Sequence, residues 1–146
     1  MTTLARDVMT TNPVCCTTTT TLDQVARLMA QNDCGEIPVL DGGQLPIGVI
    51  TDRDIVCRVV AEGRNPAAHT AEEFMSQPVV TVKAETPVPE ILTIMEKHQI
   101  RRIPVVDDMG CCAGIIAQAD LAWTRGEHEV AELVREVSRE TGRESR

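Results

Sequence analysis

Aromatic side chains are almost missing from this chain: one Trp, one Phe and no Tyr in 146 residues. Any core must therefore be packed with Val, Ile, Leu, Met and Ala, and there is no platform on which the bases of a single-stranded nucleic acid could stack. Long apolar runs are also missing. No stretch is long enough to cross a bilayer and no signal-peptide pattern is present, so the chain reads as soluble and cytoplasmic, with no membrane partner. Positive charge is scarce. Fourteen Lys and Arg stand against 22 Asp and Glu, a formal charge of −8, which argues against nucleic acid or an anionic membrane as the main partner. Signatures of catalysis are lacking too: there is no nucleophile–base pairing and no phosphate-cradling glycine loop, and the chain reads as no enzyme. The six cysteines (Cys15, Cys16, Cys34, Cys57, Cys111, Cys112) form no C-x-x-C, and His69, His98 and His128 are scattered. Adjacent cysteines on a strand point to opposite faces, so a Cys-Cys pair does not supply two ligands to one metal. They read as reduced thiols packed as small hydrophobes, with a redox-sensing or metal role as the lesser reading.

What the chain does have is itself, twice. Met29, Ile37, Pro38, Val39, Asp41, Gly48, Ile50 and Asp54 recur 66 residues later as Met95, Ile103, Pro104, Val105, Asp107, Gly114, Ile116 and Asp120. Upstream, "ARDVM" (5–9) falls on "AEEFM" (71–75). Repeats of this kind share one core-building unit. They divide the chain into repeat 1 (7–60), a linker (61–72) with Gly and Asn-Pro, repeat 2 (73–125), and a C-terminal helix and tail (126–146).

Each repeat reads β-α-β-β-α. The β-branched "VCCTTTT" suits a strand. Thr21 to Gln24 has capping-box form ahead of a helix bearing Leu22, Val25, Ala26, Leu28 and Met29. "EIPVL" and "PIGVI" are strands around a "DGGQ" turn, and Ile55, Val56, Val59 and Val60 predict the apolar face of a second helix. In repeat 2, "VVTV" is a strand, and Thr86-Pro87 places a cap and an N1 proline before a helix carrying Val88, Ile91, Leu92 and Met95. "RIPVV", "DDMG" and "AGIIA" follow, then a helix from about Asp120. A three-stranded sheet with helices on one face cannot cover its own core, whereas two units packed sheet against sheet can. The fold class is therefore α+β, two tandem repeats as an intramolecular pseudo-twofold pair. The C-terminal "HEVAELVREVSRE" carries an apolar helical face of its own.

The stretches "IPVLD…GVITDRD" and "IPVVD…GIIAQAD" resemble the CBS domain (named for cystathionine β-synthase), and the chain over about residues 5–125 is similar to a stand-alone CBS pair, or Bateman module, of small bacterial proteins. The resemblance implies a regulatory module with no catalysis and no obligatory cofactor. It would bind an adenosine-containing ligand (AMP, ADP, ATP, an NAD-type nucleotide or S-adenosylmethionine) between the repeats, and signal to a separate regulated protein.

On that resemblance the ligand-binding residues are Thr51, Asp54, Arg101, Arg102, Ile37 and Pro38, with a weaker second cleft at Asp120, Ile103 and Pro104. A carboxylate can accept from both ribose hydroxyls, and a guanidinium fork suits phosphate. The competing reading of Asp54 and Asp120 is a helix N-cap, and that of Thr51 an ordinary strand end. Ala117 stands where Thr51 has a hydroxyl, and Gly35-Glu36 stand where Arg101-Arg102 lie. The Thr51 cleft is thus expected to be the favoured one, with Glu36 repelling phosphate at the other. Crowded apolar residues, Ile55, Val56, Val59 and Val60 with Leu121 and Trp123, predict a homodimer through these helices. Alternative readings are a CBS-fold interaction protein without a small-molecule ligand, or a thiol-based redox sensor.

Overall fold

Strand, helix, strand, strand is the order in which both repeats fold, as the patterning predicts. A computed structural model describes residues 2–123. In chain order the elements are α1 (Ala5–Val8), β1 (Thr10–Thr11), β2 (Cys16–Thr17), α2 (Leu22–Asn32), β3 (Glu36–Leu40), β4 (Pro46–Thr51), α3 (Asp52–Ile55), α4 (Ala71–Phe74), β5 (Val82–Lys83), α5 (Val88–His98), β6 (Arg102–Val106) and β7 (Cys112–Ala117). A wide π turn, Val56–Val60, continues α3; short 3₁₀ turns form at Pro66–Ala68 and Gln118–Trp123. The predicted C-terminal helix (126–146), His128 and the Trp123 side chain lie outside what is described.

Two compact units result, and they are out of phase with the chain. One is built from residues 14–79 with Gly110–Cys112. Among the described residues, the other is built from 2–13, Val80–Met109 and 113–123. The first holds a sheet ordered β2-β3-β4, the second a sheet ordered β1-β7-β6-β5. Each repeat is therefore completed by the segment that precedes the other. In the first unit the Ala71 N–H donates to Thr20 O at 2.9 Å, the Glu72 N–H to Thr18 O at 3.2 Å, and the Leu22 N–H to His69 O at 3.0 Å. In the second, the Ala5 N–H donates to Thr86 O at 2.8 Å, the Arg6 N–H to Ala84 O at 3.0 Å, and the Val88 N–H to Thr3 O at 3.0 Å. All three pairs keep the 66-residue offset.

The cores follow the periodicity. Leu22, Val25 and Met29 of α2 pack with Ile37, Val39, Ile50, Ile55, Val59 and Ala71. Val88, Ile91 and Met95 of α5 pack with Ile103, Val105, Ile116, Leu121 and Ala5.

Five local expectations need correcting. The threonine run gives only a two-residue strand. Beyond it, Thr20 Oγ accepts from the Thr17 N–H at 3.0 Å, because threonine hydroxyls compete with the ladder for backbone donors. Repeat 2 does the same, with Thr86 Oγ accepting from the Lys83 N–H at 3.0 Å; Pro87 is the N-cap of α5, one residue earlier in role than the predicted N1. Thr21 caps α2 by position, but its hydroxyl donates to Asp23 Oδ1, so no capping box with Gln24 forms. The final turn of repeat 2 is 3₁₀ and starts at Gln118 rather than about Asp120. Finally, Ile55, Val56, Val59 and Val60 do not share one buried face: Ile55 and Val59 enter the core, while Val56 and Val60 are each 58% exposed.

Candidate functional site

The end of β4 is where the chemistry collects. β3 and β4 pair antiparallel with Ile37 opposite Ile50, Pro38 opposite Val49 and Glu36 opposite Thr51. The hairpin is closed by Asp41, whose Oδ1 accepts from the Gly43 N–H at 2.8 Å and the Leu45 N–H at 2.9 Å. This registration sets Thr51 at the point where the strand turns into α3.

There Thr51 and Asp54 form a reciprocal cap. Thr51 Oγ accepts from the Asp54 N–H at 3.1 Å, and Asp54 Oδ2 accepts from the Thr51 N–H at 3.0 Å. Two backbone donors that a helix start leaves orphaned are thereby satisfied. The capping role competing with ligand binding is thus realised, yet it does not exhaust either side chain. A hydroxyl that accepts still has its proton to donate, and Asp54 Oδ1 keeps lone pairs. That second oxygen lies 3.8 Å from Arg58 Nη1, with the Asp54 side chain 17% exposed. Arg58 is itself held: Nη1 donates to Phe74 O at 2.7 Å, and its guanidinium lies 5.3 Å from the Phe74 ring centre.

Repeat 2 keeps half of this device. Asp120 Oδ2 accepts from the Ala117 N–H at 2.8 Å, but alanine offers no oxygen to return the bond. The backbone around it is otherwise copied, with the Gln118 N–H donating to Arg101 O at 2.9 Å as the Asp52 N–H donates to Gly35 O at 2.9 Å.

The remaining predicted site residues differ in what they can offer. Ile37 and Ile103 are fully buried in their own cores, so only their backbones can serve a ligand. Pro38 and Pro104 are buried as well. Arg101 is exposed and Arg102 half-buried at the start of β6. The first unit thus brings Thr51, Asp54, Ile37 and Pro38 together; Arg101, Arg102, Asp120, Ile103 and Pro104 belong to the second. Glu36, expected at the other cleft, is the cross-strand neighbour of Thr51.

Sequence reasoning missed Arg58, which stands four residues after Asp54, an i,i+4 signal that was there to be read. Burial pushes the Cys16 thiol up to about 11. Among the described residues no group of three or more His, Cys, Asp or Glu side chains is placed to hold a metal ion. Among the same residues, no helix is long and apolar enough to cross a membrane.

Comparison with known proteins agrees with this architecture. The CBS domain pattern matches residues 5–61 and 71–124. Hypoxic response protein 1 of Mycobacterium tuberculosis is 34% identical over 135 residues, covering 92% of this chain and 94% of that one. Its crystal structure, described as having two coordinated zinc ions, superposes with a TM-score of 0.77 at 35% identity, over 84% of this chain and 99% of the other. The CBS domain pair of protein MJ0100, in complex with 5-methylthioadenosine and S-adenosyl-L-methionine, superposes with a TM-score of 0.75 at 26% identity, over 84% of this chain and 95% of that one. An uncharacterized Methanopyrus kandleri protein, MK0525, is 39% identical over 116 residues; the match takes in 80% of this chain and 57% of that protein's length.

Proposed function

The chain belongs to the CBS domain family, and from that premise we propose that it is a sensor that binds an adenosine-containing ligand and signals to a separate protein in the cytoplasm. The site is read on Thr51 and Asp54, backed by the Ile37-Pro38 backbone, with Arg101 and Arg102 as the phosphate-binding residues. Asp120, with Ile103 and Pro104, is read as the weaker position. The reading assigns the chain no catalytic step.

One observation carries the choice of site: the two repeats copy the same aspartate cap, but only the first pairs its carboxylate with a hydroxyl. A nucleoside needs both, a carboxylate for the ribose hydroxyls and a donor for an ether or phosphate oxygen. The structural relative that holds two adenosine compounds supports the ligand class.

Calorimetry with adenosine, AMP, ADP, ATP, NAD, 5-methylthioadenosine and S-adenosylmethionine tests it. Asp54→Asn keeps an oxygen for the cap and removes the charge that ribose needs. It is expected to cost about 1.5–3 kcal/mol of binding, roughly 10- to 150-fold, while Asp120→Asn changes affinity little. Arg102→Ala is expected to weaken AMP more than adenosine. Equal losses at Asp54 and Asp120 would show the site to be wrongly assigned; no binding by any of these compounds would favour an interaction protein without a ligand.

The partner surface is read on Val56 and Val60. Two valines four residues apart, both more than half exposed beside a sequestered Ile55 and Val59, fit contact with a second copy of the chain. Light scattering at tens of micromolar checks this: a dimer is expected, and Val56→Asp with Val60→Asp should yield the monomer of 15.9 kDa. A monomeric wild-type chain would sink the idea.

A further inference from the structure

Arg58 is shared between the candidate site and the short helix that leads into repeat 2. Its Nη1 donates to Phe74 O at 2.7 Å, while the same nitrogen stands 3.8 Å from Asp54 Oδ1. A guanidinium bonded to a carboxylate closes to about 2.7–2.9 Å. The carbonyl therefore has the bond, and Asp54 has only proximity. Phe74 is the last residue of α4, and a helix end leaves its carbonyls without intrahelical partners, so a cation there meets an open acceptor. The Phe74 ring adds to the hold, since the Arg58 guanidinium carbon lies 5.3 Å from its centre. His69 meets that ring edge-on at 5.5 Å, and its Nδ1 lies 3.2 Å from Glu73 Oε1 within α4. Just after α4 the Ser76 N–H donates to Val49 O at 2.9 Å, which fastens the segment to β4, the strand that ends at Thr51. All of these residues lie in one compact unit.

We propose that Arg58 is a positioning residue, kept off Asp54 by Phe74, so that docking of α4 sets whether Asp54 is open to a ligand; this role rests on the reading of Asp54 as the ribose acceptor. With α4 docked, Asp54 Oδ1 keeps its lone pairs for the ribose hydroxyls. With α4 released, the Phe74 carbonyl and ring leave the guanidinium. It then closes on the carboxylate by about 1 Å from its present 3.8 Å and takes the place of the ligand. Phe74 and Asp54 thus compete for one guanidinium, and Arg58 and the ligand compete for one oxygen. Linkage is reciprocal: ligand on Asp54 favours docked α4 by the factor by which docking favours ligand. A binding event at the end of β4 acquires in this way a structural output at residues 71–76.

Two measurements on the full chain test this. The first needs no ligand and follows hydrogen exchange over 71–76. Arg58→Gln is expected to exchange faster there than wild type, having lost the bond to Phe74 O. Asp54→Asn keeps an oxygen for the cap but removes the charged competitor. It is expected to slow exchange over 71–76 by about two- to fivefold, the strength of one part-exposed ion pair. Equal or faster exchange in Asp54→Asn would overturn the proposal, because the carboxylate would then be helping to hold Arg58 on Phe74. The second is calorimetry with adenosine, which has no phosphate to draw an arginine. Phe74→Leu keeps the carbonyl and an apolar side chain but removes the ring, and is expected to weaken adenosine about three- to tenfold. In an Arg58→Gln background the same substitution should cost less than about twofold, since no guanidinium remains to close on Asp54. An equal loss in both backgrounds would reduce Phe74 to packing and overturn the proposal. If the wild-type chain takes up no adenosine, the ribose reading of Asp54 fails on that result alone, and exchange over 71–76 still decides whether Asp54 and Phe74 compete for Arg58.

Discussion

Gly48 lies under Met75, where a side chain on the glycine would not fit. A Cβ at Gly48 would sit 2.6 Å from the Met75 sulfur and 3.0 Å from the Ser76 carbonyl oxygen; at Gly114 it would sit 2.5 Å from the Met9 sulfur and 2.9 Å from the Thr10 carbonyl oxygen. The glycines in "GVI" and "GII" and the methionines ending "ARDVM" and "AEEFM" are thus two halves of one contact. The repeat in the sequence displayed both halves without showing that they touch. Gly48→Ala is expected to destabilise the chain by about 1–3 kcal/mol through overpacking, and Met75→Ala in the same chain should return part of that loss. Urea denaturation of the two single variants and the double variant measures the coupling; strict additivity would disprove the contact. The cap at Thr51 was legible only as a choice between two roles, and the geometry shows why one residue can hold both. Thr51→Ala should cost about 1 kcal/mol of stability, and Ala117→Thr should add a comparable amount in repeat 2 by giving the Asp120 N–H an acceptor, both read from denaturation midpoints. Cys16 adds a pH dependence. Its pKa is raised from 9.0 to about 11, so the folded chain keeps a proton that the unfolded chain has released. Stability is intact below pH 9 and falls as pH climbs towards 11, by up to about 1.4 kcal/mol per pH unit. Cys15 adds to the loss in the same direction. Cys16→Val should lose less stability than wild type between pH 8 and 10.5.

Among the elements, length decided what could be foreseen. α2 and α5 were legible because their buried residues return every three or four positions, and β3, β4, β6 and β7 because apolar runs end at Gly- or Asp-bearing turns. The four-residue helices α1 and α4 are too short to show a period, and they appeared only as an alignment of "ARDVM" with "AEEFM". Strand β2 was over-read, since β-branching raises strand propensity while the hydroxyl of Thr20, in the same threonine run, builds the turn that ends the strand. Both long helices finish in the left-handed region on a residue other than glycine, Asp33 at φ 50° and Gln99 at φ 55°. A left-handed residue with a Cβ is strained, and Gln99 has neither the short side chain nor the local hydrogen-bonding habit that eases Asn and Asp there. Gln99→Gly should therefore raise stability by roughly 0.5–1 kcal/mol, even after losing the bond from Gln99 Nε2 to Glu96 O. Thermal denaturation of this variant beside Asp33→Gly is the check, with the smaller gain expected at Asp33.

At the scale of the whole chain, the feature no local pattern discloses is the exchange of leading segments. Hydrophobic periodicity reports which residues are buried, not which partner buries them, so Ala5 looked like the lead-in to repeat 1 although it is fully buried in the core that α5, β6 and β7 build. The same segment supplies β1, whose Thr10 and Thr11 pair antiparallel with Ile115 and Gly114 of β7. Removing residues 2–13 takes away that strand pair, the Ala5 and Arg6 donors to Thr86 and Ala84, and the Met9 side chain that covers Gly114. If sequence order governed stability, the truncation would loosen repeat 1. The structure demands the opposite: β7, β6 and α5 should lose protection first, because their edge and cap are gone, while β3, β4 and α2 keep their own cover from Ala71 and Met75. Hydrogen exchange on the truncated chain measures this directly. Faster exchange over 88–98 and 102–117 than over 22–32 and 36–51 is the expected outcome, and the reverse order would mean that the leading segment belongs with the repeat it precedes.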